Sequence, residues 1–549
     1  MNLSGCYNLI KLPSHIGKMF KLKHLIIIGC ERLTKMPASI GNLKNLRTLS
    51  MFIVGEGMGE SLSELQNLNL GGELNIRHLE NVEDATEAMT ANLIEKRSLQ
   101  SLELSWGNDH KELNRNNDTD GTLVREVLNY LQPHEYLKEL SLKGYRGICF
   151  PGWMSLHKLP NLTELVLIDC SRCEHLPTLG QLPFLKVLYL QGMDAVRVIG
   201  KEFYGKGKMR PFPSLKELTL TNFPNLEFWW TFSQREGFPS LVKLTVRKCL
   251  KLCIMPRFPL LKHLELRSCK EMILQSASNL ASLTIIVIEE FREQLVFLEN
   301  LLQNNALLMS LTIGSCPKLR FISPNIGKLI NLKTLTIRWC EELLSLPQEL
   351  QNLTSLESLE IIECHSLITL PEDIKGLSSL RSLSIENCNN IASLPLGLQF
   401  LTALEHLAIM YCPKLDSLPN LQHLSALKSL IILNCPELVS LPEGLKHVST
   451  LQNLEVRGCP GLQTLPEWVA NLTMLRSLAL SDCHNLTSLP GGLQSLSALQ
   501  HLSIRECPAL EERCKKDIGE DWPKINHIAH VYIGQLKFRQ YETASCSSQ

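Results

Sequence analysis

Residues 332–353 read LKTLTIRWCEELLSLPQELQNL, and this stretch decides the fold. Its apolar residues fall at fixed places, in the pattern L-x-x-L-x-L-x-x-C-x-x-L-x-x-L-P-x-x-L-x-x-L. The pattern recurs at nine cysteines. Of the eight steps between neighbouring cysteines, seven are 24 residues long and one is 23. The cysteines are Cys316, Cys340, Cys364, Cys388, Cys412, Cys435, Cys459, Cys483 and Cys507. A unit of this length cannot bury its own apolar face, so the pattern predicts coils that stack on one another.

This spacing is typical of the leucine-rich repeat, in which each coil contributes one short strand. The fold class is therefore predicted as α/β, a leucine-rich-repeat solenoid (horseshoe) with a long parallel β-sheet on the concave face. The convex side is expected to be mostly irregular or to carry short helices.

Repeat regularity divides the chain into five predicted segments. They are 1–54, N-terminal repeats that start mid-repeat; 55–310, repeats of irregular length with a polar loop insert near 107–121; 311–510, regular 24-residue repeats; 511–538, a divergent terminal coil; and 539–549, a disordered tail. Convex-side helices are predicted over residues 81–97 and 122–131, and one irregular strand over 283–285. Because the first coil lacks a polar cap, we expect either a further segment ahead of residue 1 or a truncated gene product.

Charge and hydropathy narrow the classes of function. The 55 basic and 55 acidic residues balance, which disfavours non-specific binding of nucleic acid. No apolar run is long enough to span a bilayer, and the first residues do not resemble a signal peptide. We therefore predict a cytoplasmic or nucleo-cytoplasmic protein that binds neither nucleic acid nor membrane.

No catalytic or metal-binding motif stands out in the sequence. The phosphate-binding loop G-x-x-x-x-G-K-[ST], the nucleophile elbow G-x-S-x-G and the zinc motif H-E-x-x-H are all absent. Cys170 and Cys173 form a single C-x-x-C without a second pair at zinc-site spacing. The in-register cysteines occupy one position per coil and are predicted to be buried structural thiols. The sequence thus predicts no enzyme activity, no catalytic residue, no metal and no cofactor site.

The residues between the core positions are candidates for a binding surface. Strand alternation is expected to send them to the concave face, where they can vary without disturbing the fold. Exposed Trp, Tyr and Arg are enriched at protein interfaces, and charges of both signs favour a protein partner over a polyanion. The candidates are Arg338, Trp339, Glu363, Glu386, Met410, Tyr411, Leu433, Arg457, Asp482 and Arg505.

Several stretches resemble a known family. Residues 39–55 (SIGNLKNLRTLSMFIVG), 70–82 (LGGELNIRHLENV), 102–106 (LELSW) and 150–154 (FPGWM) are similar to the repeat region of plant coiled-coil, nucleotide-binding, leucine-rich-repeat disease-resistance proteins. The likeness continues to residues 507–514 (CPALEERC) and 519–525 (GEDWPKI) at the last coil.

Members of that family carry a coiled coil and a nucleotide-switch (NB-ARC) domain ahead of the repeats, and neither is found in these residues. The resemblance implies that any ADP or ATP would bind that other domain. It also implies two kinds of partner: a pathogen effector or a guarded host protein, and the NB-ARC domain, bound within one chain or in trans. The function predicted is a non-catalytic recognition module of a plant intracellular immune receptor.

Two other functions stay open on the sequence. An extracellular receptor ectodomain is favoured only by glycosylation triplets such as 161–163 (NLT). A substrate adaptor of a ubiquitin ligase would require an F-box-like helical segment before the repeats, which these residues do not contain.

Overall fold

The protein is described by a computed structural model over residues 1–55, 57, 60–107, 121–155, 157–205, 210–230 and 237–534. The predicted insert near 107–121 falls almost entirely, and the predicted tail 539–549 wholly, outside the described residues. The chain forms two compact units, Met1–Phe291 and Arg292–Gln549. The segment boundaries predicted from repeat regularity are a different division and stay predictions.

The strands of the first unit are β1 His24–Leu25, β2 Thr48–Leu49, β3 Met51–Ile53, β4 Gly71–Arg77, β5 Ser98–Ser105, β6 Glu139–Lys143, β7 Glu164–Ile168, β8 Val187–Gln191, β9 Val198–Ile199, β10 Glu217–Thr221, β11 Phe228–Trp229, β12 Lys243–Cys249, β13 His263–Cys269 and β14 Ile285–Glu289. Ten of them form one parallel sheet, in the order β3-β4-β5-β6-β7-β8-β10-β12-β13-β14. Two further pairs, β1 with β2 and β9 with β11, lie outside that sheet.

Four short α-helices and five 3₁₀ helices complete the described part of the first unit. They are α1 Ala85–Thr90, α2 Thr122–Tyr130, α3 Lys201–Tyr204 and α4 Ile273–Ala277, with 3₁₀ helices at Ser14–Lys18, Ile40–Asn42, Leu62–Leu65, Leu79–Asn81 and Leu93–Glu95. The helix predicted over 122–131 is confirmed as α2.

Two expectations for the first unit need correction, and one pair of strands was not expected. The helix predicted over residues 81–97 is broken into α1 and flanking 3₁₀ turns, because Asn92 adopts a left-handed conformation at φ 50°. The strand predicted over 283–285 is β14, whose buried apolar residues are Ile286 and Ile288; Leu283 is the buried leucine that precedes the strand. The pair β9 and β11 was not predicted, since each has only two residues.

The second unit carries a parallel sheet of ten strands, β15 to β24, paired in chain order. They are β15 Ser310–Gly314, β16 Thr334–Arg338, β17 Ser358–Ile362, β18 Ser382–Glu386, β19 His406–Met410, β20 Ser429–Leu433, β21 Asn453–Arg457, β22 Ser477–Ser481, β23 His501–Arg505 and β24 His530–Ile533. The leucine-rich-repeat solenoid predicted from the cysteine register is confirmed.

Helices lie between the strands of this unit. They are α5 Leu298–Asn304 and α6 Pro508–Arg513, with 3₁₀ helices at Pro324–Lys328, Gln348–Asn352, Glu372–Gly376, Leu396–Phe400, Glu443–His447, Glu467–Asn471, Gly491–Ser495 and Trp522–Lys524. The Leu-Pro pairs explain most of the 3₁₀ starts: Pro347, for example, is extended at φ −69° and ψ 150° immediately before its helix. Proline suits this place because the position needs no amide donor. The coil that begins at Cys412 is one residue shorter, and no 3₁₀ helix follows its Pro419.

Each coil is held by the same set of buried residues. In β16 the side chains of Leu335 and Ile337 are fully buried, while Thr334, Thr336 and Arg338 reach the other face of the sheet. Because side chains alternate along a strand, one face packs in the core and the other meets solvent. We call the solvent-facing side the open face.

The last coil is closed by a buried carboxylate. Asp521 is fully buried, accepts a hydrogen bond from the Leu489 amide at 2.9 Å and forms ion pairs with Arg513 at 3.1 Å and Lys524 at 2.8 Å. The ammonium of Lys524 also donates to the Leu489 carbonyl at 2.6 Å. A buried charge is tolerated only when its hydrogen bonds are satisfied in this way, so the cluster ties the terminal coil to the preceding one.

Across the described ranges, none of the helices combines the length and apolar character that crossing a membrane would require.

Candidate binding edge of the second unit

The ten candidate residues lie in two neighbouring columns along one edge of the second unit's sheet. The strand-end column holds the last residue of each strand: Arg338, Ile362, Glu386, Met410, Leu433, Arg457, Ser481 and Arg505. The turn column holds the residue that follows: Trp339, Glu363, Asn387, Tyr411, Asn434, Gly458, Asp482 and Glu506. Six candidates fall in the first column and four in the second, and none of the ten is buried.

Every residue of the turn column adopts a left-handed conformation, with φ between 50° and 63°. This conformation is costly for residues other than glycine, asparagine and aspartate. It was not anticipated from the sequence, because simple alternation would turn Trp339 and its equivalents inward. The left-handed residue resets the alternation, so the side chains of both columns face solvent between two buried positions, while Gly458, which has no side chain, is buried.

A ladder of backbone hydrogen bonds fixes this conformation. The amide of Trp339 donates to the Ile362 carbonyl at 2.8 Å, and the Tyr411 amide donates to the Leu433 carbonyl at 2.7 Å. The same bond joins each later coil to the next as far as Asp482, whose amide donates to Arg505 at 2.9 Å. The backbone is therefore held in place, and side chains along the column share one direction.

The buried cysteines support the same edge from inside. The thiol of Cys412 donates to the Met410 carbonyl at 3.5 Å, and that of Cys507 donates to the Arg505 carbonyl at 3.2 Å. Burial raises the pKa of the Cys388 thiol to about 12 and that of Cys459 to about 11, so these groups stay protonated donors. These cysteines thus satisfy carbonyls of the strand-end column, and the raised pKa values make Cys388 and Cys459 unreactive thiols. Hydrogen bonds from the thiols of Cys435 and Cys507 instead lower the pKa values of Cys412 and Cys483.

Charges of both signs occupy the edge. The guanidinium of Arg338 lies 4.9 Å from the ring centroid of Trp339, which pairs a cation with an exposed aromatic face. Glu363 accepts a hydrogen bond from the Asn387 amide group at 3.3 Å. Within the described residues, Arg457 and Glu386 form no ion pair, so their charges are open to a partner.

A groove of about 500 Å³ runs along the turn column over five consecutive coils. It is lined by Asn387, Asn389, Tyr411, Pro413, Asn434, Pro436, Gly458, Pro460, Asp482 and His484. Two of the sequence candidates, Tyr411 and Asp482, line it, and the other eight do not. The residues after the cysteines were missed, although the Cys-Pro pair repeated at Pro413, Pro436 and Pro460 could have indicated them.

The edge offers charged, aromatic and amide side chains. Among the described residues, no group of three or more His, Cys, Asp or Glu side chains could hold a metal ion. Leucine-rich-repeat scaffolds present extended surfaces of this kind for recognition.

Comparison with known proteins finds related sequences. The family model for R13L1/DRL21 leucine-rich repeats matches residues 62–193 and 438–507. The putative disease resistance protein RGA1 of Solanum bulbocastanum is 35% identical over 269 residues, which is 49% of this chain and 26% of that protein. The putative disease resistance RPP13-like protein 1 of Arabidopsis thaliana is 34% identical over 230 residues, 40% of this chain and 22% of that protein.

Solved structures with related repeats are more distant. The leucine-rich-repeat domain of the type III effector XopL is 24% identical, covers 48% of this chain and 79% of that domain, and has a TM-score of 0.35. An LRR protein of Leptospira interrogans is 18% identical, covers 87% of this chain and 98% of that protein, and has a TM-score of 0.45.

The matched region spans about a quarter of the length of the curated relatives, 26% for RGA1 and 22% for the RPP13-like protein. The chain has the leucine-rich-repeat fold, and the sequence matches show that it is similar to R13L1/DRL21 leucine-rich repeats and to part of plant disease resistance proteins.

Proposed function

We propose that this chain is the non-catalytic recognition module of a plant intracellular immune receptor. Its role would be to bind a pathogen effector or a host protein modified by one, and to restrain a nucleotide-switch domain that lies outside these residues. The site of action would be the cytoplasm or the nucleus.

The observation that carries this proposal is the separation of fixed and variable residues at the edge of the second unit. Buried leucines and cysteines and the amide ladder hold the backbone in the same conformation in successive coils. The exposed columns meanwhile change from Trp to Glu, Asn, Tyr and Gly without altering that backbone. A scaffold that tolerates such variation suits recognition of one protein surface among many.

Two binding events on one scaffold can act as a switch. If the resting switch domain and the effector bind different forms of the receptor, their binding free energies are coupled. Binding of either one then lowers the affinity of the receptor for the other. The charges of both signs on the edge, such as Arg457 and Glu386, favour protein partners over nucleic acid.

The test is a binding screen of this chain against pathogen effectors, followed by substitution of the edge. We expect the triple variant Trp339→Ala, Tyr411→Ala and Arg457→Ala to weaken a binding effector or host target at least about tenfold, since such residues often dominate interfaces. The control variant replaces Phe321, Phe400 and Lys446, which are exposed elsewhere in the same unit. Binding that survives the edge variant unchanged would contradict the proposed placement.

Restraint of the switch domain needs a separate measurement. The chain is co-expressed in leaf tissue with a coiled-coil and nucleotide-switch fragment of a family member that triggers cell death by itself. Suppression of cell death, with co-purification of the two fragments, is the expected result. Continued cell death with no association would contradict the restraining role.

A further inference from the structure

The groove along the turn column has a composition that selects its occupant. The lining offers side-chain amides from Asn387, Asn389 and Asn434, and prolines at three successive coils that have no amide hydrogen to donate. Among the described residues, the side chains of Asn389 and Asn434 have no hydrogen-bond partner. Amide side chains both donate and accept, as a polypeptide backbone does, so the groove suits an extended peptide.

The length of the groove sets the length of that peptide. It runs over five coils, from Asn387 to Asp482, which is four steps between neighbouring coils. At about 4.8 Å a step the distance is about 19 Å, and an extended chain rises about 3.3 Å per residue. The groove therefore accommodates about six residues.

The charged residues of the turn column are all negative. Three of its eight residues are carboxylates, at Glu363, Asp482 and Glu506, and none is Lys or Arg. Glu363 adjoins the groove at one end, where it contacts Asn387, and Asp482 lies at the other end, next in the column to Glu506. Tyr411, whose side chain is 44% exposed, presents a ring between them that can stack against a cation.

The basic groups nearby offset this charge only in part. His365 lies 3.9 Å from one oxygen of Glu363. Arg457 and Arg505 belong to the strand-end column and do not line the groove. The ammonium of Lys414 is held 2.6 Å from the side-chain oxygen of Asn390. His484 lies 3.4 Å from one oxygen of Asp482 and 3.1 Å from the Glu506 carbonyl, which leaves the second Asp482 oxygen open.

From these observations we infer that the groove binds an extended segment of about six residues in a partner protein, with basic side chains at its ends and no acidic residue. This inference rests on the proposed recognition function and specifies the chemistry of one partner segment. Gly458 lies at the middle of the path, where any Cβ would fall 1.9 Å from the Asn434 side-chain oxygen. The absence of a side chain there keeps the path open between Asn434 and Asp482.

The test uses a positional library of hexapeptides with acetylated N-termini and amidated C-termini, screened against the full chain. We expect Lys and Arg to be enriched at the first and last positions, and Asp and Glu to be depleted throughout. A selected basic-ended peptide should lose affinity about three- to tenfold in Asp482→Asn, and its affinity should fall as salt is raised.

The matched control is Asp373→Asn, because Asp373 is similarly exposed, 38% against 43% for Asp482, and also has one weak basic contact, to Lys375 at 3.8 Å. Thermal unfolding of both variants checks that each remains folded. Enrichment of acidic peptides, no binding peptide at all, or equal affinities in the two variants would each overturn the inference. The two ideas can fail separately. The proposed function stands if the variant of Trp339, Tyr411 and Arg457 loses effector binding. The inference about the groove still fails if Asp482→Asn leaves peptide binding unchanged.

Discussion

Lys96 gives the sharpest physical prediction for the first unit. It follows the 3₁₀ helix Leu93–Glu95, and its side chain is only 2% exposed. Its ammonium donates to the carbonyls of Leu65 and Leu68, each at 2.8 Å, and no carboxylate among the described residues forms an ion pair with it. Burial without a counter-charge lowers the pKa of Lys96 from 10.5 to about 8.

The sign of the effect on stability follows from proton binding. Between pH 8 and 10.5 the unfolded chain holds a proton on Lys96 that the folded chain has released, so the free energy of unfolding rises with pH across this window. One pKa unit corresponds to about 1.4 kcal/mol, and the lowered pKa therefore means that burying the charged form costs about 3 kcal/mol below pH 8. That cost disappears above pH 10.5.

Replacing Lys96 with methionine removes the charge and keeps most of the buried volume. The Leu65 carbonyl still accepts a hydrogen bond from the Leu68 amide at 3.2 Å. The Leu68 carbonyl, in contrast, loses the hydrogen bond from the Lys96 ammonium. An unsatisfied carbonyl costs about 1 to 3 kcal/mol. We expect Lys96→Met to be neutral or stabilising at pH 7 and destabilising at pH 10, with a change of about 2 to 3 kcal/mol between the two.

Urea denaturation of both proteins at pH 7 and pH 10, followed by circular dichroism, measures this change. Other groups titrate in the same range, but they are common to both proteins and cancel in the difference. The exposed Lys44, replaced in the same way, serves as the control and should show no pH-dependent difference. A Lys96→Met effect that is equal at both pH values, within about 0.5 kcal/mol, would refute the reasoning.

Two further predictions concern the second unit, and a third compares a thiol of each unit. Asp521→Asn should destabilise the last coil by about 3 kcal/mol, because it removes the charge from a buried ion-pair cluster, and hydrogen exchange of that coil measures the loss. Gly458→Ala should lower the free energy of unfolding by about 1 to 3 kcal/mol, because residue 458 has φ 63° and its Cβ would collide with Asn434. Adding Asn434→Ala should recover part of this loss in the double variant, and urea denaturation measures both effects. Iodoacetamide at pH 8, with site mapping by mass spectrometry, should label the exposed Cys149 at least about a hundredfold faster than the buried Cys388, and comparable rates would show that the coil opens readily.

Much of the fold could be predicted because the coil repeats one rule many times. The cysteine register located every strand of the regular coils, including Thr334–Arg338 and His501–Arg505, since each places two buried residues at a fixed distance before the cysteine. Where the register was weaker the prediction slipped, as at Ile285–Glu289, because Leu283 could be taken for either of two core positions. The helix over residues 81–97 failed for a different reason: its apolar residues have helical spacing, but Asn92 turns the chain.

The candidate edge could be predicted only in part. The position between the strand's core residues and the cysteine identified exposed residues such as Arg457 and Tyr411, although strict alternation accounts only for Arg457. The structure places them in two columns of one edge. The left-handed backbone of the turn column could not be predicted, because residues such as Trp339 and Tyr411 seldom adopt it alone. The groove was missed for the same reason, since its lining depends on where that turn directs the next residue.

The turn column therefore links the fold to recognition. A left-handed conformation costs about 1 kcal/mol or more at a non-glycine residue, and a backbone hydrogen bond returns a comparable amount. Since the ladder of amides is made by the backbone, it forms equally well whether the side chain is that of Trp339, Glu363 or Tyr411. The fold thus places little demand on the chemical character of these side chains, apart from Gly458, where a Cβ has no room. Asp482 also suits the left-handed turn itself, because aspartate tolerates that conformation, whereas Glu506 gains nothing from it. The proposed partner segment with basic ends would complement both charges.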